Sequence, residues 1–71
     1  MWKRYHFEIP LSKGGIYFSD PFETIEECVV ACKEKCKFLG VDYDRRDVKL
    51  FYTDDFGDTY EECTEEGELA G

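Results

Sequence analysis

The residues of this chain best equipped for chemistry are its four cysteines, and three of them, Cys28, Cys32 and Cys36, recur at every fourth position. On a helix that spacing aligns them along one face, with successive Cβ atoms about 5–6 Å apart. A disulfide wants about 3.8 Å between Cβ atoms, so a bridge inside a regular helix strains it unless the last turn unwinds near Cys36. Zinc binds thiolates at about 2.3 Å, whereas Cys28 and Cys36 would stand about 12 Å apart along the axis. At most two of the helical thiols could then join Cys63 and His6 around one ion. The paired CxxC knuckles of structural zinc sites are missing, and neither a metal nor another cofactor is expected. Reduced thiols packed as small hydrophobes, and disulfides made once the fold brings Cys63 near, are the readings that stay open.

Other reactive groups do not assemble into a catalytic set. His6 is the single histidine, with no serine or cysteine beside it to make a nucleophile–base pair. Gly14 and Gly15 lack the GK[ST] that completes a phosphate loop. Asp55, Phe56 and Gly57 spell the magnesium-binding tripeptide of kinases, which a chain of 71 residues cannot accommodate. Asp54, Asp55 and Asp58 could touch calcium, but the EF-hand spacing is absent. The chain is expected to bind, not to catalyse.

Charge supplies the sharper signal. All nine basic residues lie at or before Lys49, and of the 17 acidic residues eight follow it, so the net charge of −8 resides wholly in that end. Asp54, Asp55, Asp58, Glu61, Glu62, Glu65, Glu66 and Glu68 would be repelled by nucleic acid or an anionic membrane and attracted by a basic protein. In a strand, alternate carboxylates lie about 6.6 Å apart, comparable to phosphate intervals in duplex DNA. An ordered row of them could fill a Lys/Arg groove built for nucleic acid. Tyr52, Phe56 and Tyr60, interleaved with the acids, would supply the apolar anchors that interfaces favour.

These groups need a scaffold, and the pattern predicts a single α+β domain. Residues 3–11 alternate, with Tyr5, Phe7, Ile9 and Leu11 on one side and Arg4, His6 and Glu8 on the other, as in a half-buried strand. Ser12, Lys13, Gly14 and Gly15 make a turn, and Ile16, Tyr17 and Phe18 begin the return strand. A helix follows, with two possible starts: Asp20 and Pro21 with Glu23, or Thr24 with Glu27. Its apolar stripe is Ile25, Cys28, Val29, Cys32 and Cys36. Residues 38–43 alternate again, Asp44 to Asp47 form a polar turn, and Val48, Leu50 and Tyr52 share a face of a further strand. The expected order is ββαββ, an antiparallel sheet with the helix across one face. Residues 1–53 would form that core and 54–71 an acidic C-terminal segment. The start of the chain shows no apolar signal region and no run reaches transmembrane length, so a cytoplasmic protein is expected, with a secreted domain as the alternative. Exposed sheet edges leave a homodimer open.

Two resemblances bear on function. Ile25, Glu26, Glu27, Cys28, Val29, Val30, Ala31 and Cys32, then Cys36, Lys37 and Phe38, and Tyr43 with Asp44, resemble the centre of PAN/apple domains. That likeness implies an extracellular module, tied by disulfides, that binds protein or carbohydrate. The strand after the helix lacks the cysteine expected to pair with Cys28, so Cys63 would have to substitute and Cys32 would close a short loop with Cys36. In size, acidity and βα architecture the chain also resembles small phage-encoded inhibitors of the anti-CRISPR and anti-restriction type. This second likeness implies a host-cytoplasmic inhibitor that docks on a basic nucleic-acid-binding protein and touches neither nucleic acid nor membrane itself.

Overall fold

A computed structural model of the chain describes residues 4–53 and 60–69. It contains β1 (Tyr5–Pro10), β2 (Ile16–Phe18), α1 (Ile25–Leu39), β3 (Lys49–Thr53) and β4 (Tyr60–Cys63). The four strands form one antiparallel sheet in the order β2-β1-β3-β4, with the helix packed on one face. The fold is therefore a small α+β fold, as the patterning predicts.

Alternation decides what each face of the sheet carries. Phe7 and Ile9 of β1, Leu50 of β3 and Cys63 of β4 turn inward, where they meet Ile25, Cys28, Cys32 and Cys36 from α1. Half of this buried cluster is cysteine. Tyr5, Tyr17, Phe22 and Tyr52 close its margin, with the Phe7 ring 6.0 Å from Tyr17 and 6.2 Å from Phe22. Beyond β2 the chain stays tied to β1: Phe7 N–H donates to Ser19 Oγ at 2.9 Å, and Phe22 exchanges backbone hydrogen bonds with Tyr5.

Of the two possible helix starts, the chain uses Thr24. Its backbone is extended, its hydroxyl oxygen accepts from Glu27 N–H at 3.2 Å, and the same hydroxyl donates to the Glu27 carboxylate at 3.1 Å. The first of these bonds satisfies the Glu27 N–H, one of the helix-end donors that would otherwise lack a partner, and the second holds the Thr24 hydroxyl in place. The stop is Gly40, left-handed at φ 73°, whose N–H reaches back to the carbonyls of Cys36 and Lys37.

That stop explains the main departure from the sequence reading. Residues 38–43 are not a strand. Phe38 and Leu39 complete the last helical turn, and the chain then runs through turns from Val41 to Val48. Asp42 Oδ1 caps the first turn by accepting from Asp44 N–H at 3.0 Å, and Arg45 grips Asp47 through two bonds of 3.1 and 2.7 Å. The alternation of Leu39, Val41 and Tyr43 survives only as partial burial against the core. The partner of β3 is instead β4, drawn from the acidic end.

Candidate functional site

Residues 60–69 hold the acidic end on the sheet. Tyr60, Glu61, Glu62 and Cys63 pair with Thr53, Tyr52, Phe51 and Leu50 in turn. Cys63 is buried in the core, so one side chain of the strand fastens it to α1. Thr64 then organises a turn: its N–H donates to Glu68 O at 2.7 Å, and its hydroxyl oxygen accepts from the N–H groups of Glu66 and Glu68. Gly67 has φ +84° and lies so close to the helix start that a Cβ there would stand 3.3 Å from Ile25 Cγ2 and 3.5 Å from the Tyr5 hydroxyl. Leu69 bridges back to Cys63. Five carboxylates, those of Glu61, Glu62, Glu65, Glu66 and Glu68, are thus presented in exposed positions on a pinned segment.

They do not form one row. Glu61 and Glu62 are adjacent in a strand and point to opposite faces, and Glu65, Glu66 and Glu68 follow in the turn. Glu65 comes near the loop after the helix, where burial of the ring, and after it the hydrogen bond to Glu65, push the Tyr43 phenol well up. Of the other expected contact residues, Asp54, Asp55, Phe56 and Asp58 lie outside the described residues. Tyr52 is half-buried on the helix side of the sheet, its ring 5.5 Å from Tyr5 and its hydroxyl accepting from Arg4 Nη1 at 3.4 Å. Tyr60 occupies the opposite side and is 57% exposed. The two of the three expected aromatic anchors that lie among the described residues are therefore separated by the sheet.

Tyr60 has company that the sequence reading missed. On the face away from the helix, cross-strand pairing sets His6 opposite Phe51, and Phe51 opposite Glu62. The His6 and Phe51 rings stack, with centroids 5.1 Å apart and planes at 17°. Tyr60 stands nearly perpendicular to Phe51 at 5.1 Å and to His6 at 5.4 Å. His6 Nε2–H donates to Glu8 Oε2 at 3.3 Å along the same strand. The available signal was Phe51, an aromatic residue out of phase with Leu50 and Tyr52 and hence on the face meant for solvent.

The cysteines sit beneath the opposite face, all four buried and free. Burial pushes every one of their thiols up, Cys28 to about 12 with a further contribution from neighbouring Cys63. The Cys32 thiol and Cys36 sulfur share a hydrogen bond that holds the proton on Cys32. Such thiols are poor nucleophiles. We expect Ellman's reagent at pH 8 to label none of the four in the folded protein and all four together on addition of urea. Stepwise labelling under native conditions would contradict a common buried cluster.

Among the described residues, no group of three or more His, Cys, Asp or Glu side chains is placed to hold a metal ion, and no helix is long and apolar enough to cross a membrane. Comparison of the chain with family models, with curated proteins and with solved structures found no match.

Proposed function

We propose that this protein is a binding inhibitor that docks an acidic surface on a basic, nucleic-acid-binding partner and excludes that partner's ligand. The observation that carries the reading is the anchoring of residues 60–69: their carboxylates belong to a sheet edge and a hydrogen-bonded turn, not to a free tail. A fixed array of charge loses less side-chain and backbone freedom on binding than a tail would. It also steers a cationic partner before contact. The carboxylates sit on both sides of the β4 edge, which suits insertion of that edge into a basic cleft better than contact along one flat strip.

The test is a nuclease assay against effector complexes of CRISPR and restriction systems. Inhibition of one of them should weaken steeply between 50 and about 300 mM salt. Replacing Glu61, Glu62, Glu65 and Glu66 together by Gln should lower the association rate by roughly 10-fold or more while the fold is kept. Inhibition indifferent to both changes, or none at all across the panel, rejects the reading.

One observation favours a second reading, an extracellular PAN/apple-like module. The fold gathers all four cysteines into one buried cluster, in which Cys63 acts electrostatically on Cys28 and Cys36 on Cys32, although α1 stays helical through Leu39, so the Cys32–Cys36 bridge which that resemblance implies would require its last turn to unwind. The intact mass of unreduced protein separates the readings, because two native disulfides lower it by about 4 Da, two hydrogens per bond formed, and free thiols do not.

A further inference from the structure

We infer that the sheet face opposite the helix is the contact surface of a two-fold homodimer, in which Glu8 of each copy is set against Lys49 of the other. Register puts Ile16 and Phe18 of β2 on this face, opposite Pro10 and Glu8 of β1. They are 50% and 61% exposed, and they lie at the opposite edge of the sheet from Tyr60. The stacked His6 and Phe51 rings fill the ground between. Four strands spaced about 4.8 Å apart make the face roughly 19 Å wide. Apolar side chains spread so widely over one side of a small domain mark a surface that is covered by something. Edge strand β2 carries no charged side chain to keep another chain away.

The pattern of charge selects the occupant. Arg4 and Lys49 share the phase of Glu8 and Glu62, so cations and carboxylates balance on this face. The acidic turn lies on the other side, where Gly67 packs on Ile25 and Tyr5 and Glu65 reaches Tyr43. Glu8 and Lys49 stand directly opposite each other on β1 and β3, yet they share no salt bridge. His6 holds Glu8 in place at 3.3 Å, and Asp47, which draws on Lys49, is already bound by Arg45. A polyanion would meet Glu8 and Glu62 here, and a polycation would meet Arg4 and Lys49. A second copy meets neither conflict at the centre. A two-fold axis running along the strands between β1 and β3 carries β1 of each copy over β3 of the other, as in aligned sheet packing. Residues paired across those strands are then paired across the interface as well, so Glu8 meets Lys49 twice and His6 meets Phe51 twice. Both helices and both acidic turns stay on the outside. The dimer is independent of the docking partner proposed above, and it presents the acidic turn to such a partner in two copies.

Sedimentation equilibrium of the full chain under reducing conditions should show monomer giving way to dimer between about 10 µM and about 1 mM. That is a Kd on the order of 0.1 mM, as suits a contact of less than about 1,200 Å². Over the same range the His6, Phe51 and Tyr60 ring resonances should shift in NMR spectra. Glu8→Lys and Lys49→Glu should each weaken self-association roughly 10-fold or more, because each sets two like-charge pairs across the axis. Mixed in equal amounts, the two variants should regain the parent affinity, since both pairs in the mixed dimer are again of opposite sign. Phe18→Ser, at an exposed position, should weaken association without touching charge, with far-UV circular dichroism reporting the fold of each variant. A chain still monomeric at about 1 mM overturns the inference, and ring shifts on adding cellopentaose would then give the face to carbohydrate. A dimer indifferent to all three substitutions places the contact elsewhere, at a sheet edge, and overturns it too. Weakening by both charge reversals with no recovery in the mixture rejects the two-fold pairing of Glu8 with Lys49.

Discussion

Titrated upward from pH 8 under reducing conditions and constant salt, the protein is expected to unfold cooperatively between about pH 9 and pH 12. The cause is the composition of its core. A thiol ordinarily ionises near 9.0, but in the fold Cys28 is held up to about 12, Cys32 is raised further still, and Cys36 and Cys63 are raised as well. Below pH 9 both folded and unfolded chains keep their thiol protons, so stability does not depend on these groups. Above it the unfolded chain releases them while the folded chain cannot. The unfolded state then binds fewer protons, and stability falls as pH rises. Each such thiol removes about 1.4 kcal/mol per pH unit, so Cys28 and Cys32 together remove nearly 3 kcal/mol per unit. A domain of this size has roughly 4–11 kcal/mol in total, of which two units of pH remove about half or more. The Tyr5 and Tyr43 phenols, also raised by burial, add to the loss above their ordinary value of 10.0. Far-UV circular dichroism across a pH series of urea titrations measures the slope. Cys32→Ala should start less stable at pH 8 yet lose stability more slowly above pH 9. A urea midpoint unchanged from pH 8 to pH 11 would rule the thiols out as the controlling groups.

The same cysteines show what could and could not be read in advance. Their four-residue spacing, with Ile25 before them and Thr24 and Glu27 at the start, specifies an amphipathic helix because cap and period agree. The first hairpin was legible for a similar reason: alternation in β1 ends at two glycines, both of which adopt positive φ. β4 left no such mark. It is an edge strand, three of its four residues are exposed, and only Cys63 reaches the core, so its sequence looks like a solvated acidic run. Residues 38–43 misled in the opposite sense. Alternating apolar residues there pack from a helix end and from turns, and alternation alone cannot distinguish that from a strand. The candidate site was half legible. The carboxylates are obvious from composition, but the ring platform depends on the register that places His6, Phe51 and Tyr60 side by side, and register is a property of pairing between segments distant in sequence.

Ending the chain after Thr53 is expected to abolish folding, although the 53 residues left contain the helix and three of the four strands. Without β4 the backbone edge of β3 loses its ladder, and Leu50 loses its cross-strand partner Cys63. Cys28 loses the cover of Cys63, and the helix start loses the Gly67 turn that packs on Ile25 and Tyr5. Each loss exposes core or strands a backbone polar group, at about 1–3 kcal/mol apiece, and together they approach the whole stability of the domain. Replacing Glu61, Glu62, Glu65 and Glu66 by Gln acts on the same segment in the opposite way. Those side chains are exposed, so the change should move stability by only about 0.5 kcal/mol, and relief of like-charge repulsion favours the variant. Near-UV circular dichroism and urea melting of the two variants therefore separate scaffold from surface. The truncated chain should show neither native signal nor a cooperative transition, while the Gln variant shows both and fails only in binding. A truncated chain that melts cooperatively would show that the acidic segment is an appendage, and the fixed array of charge on which docking depends would go with it.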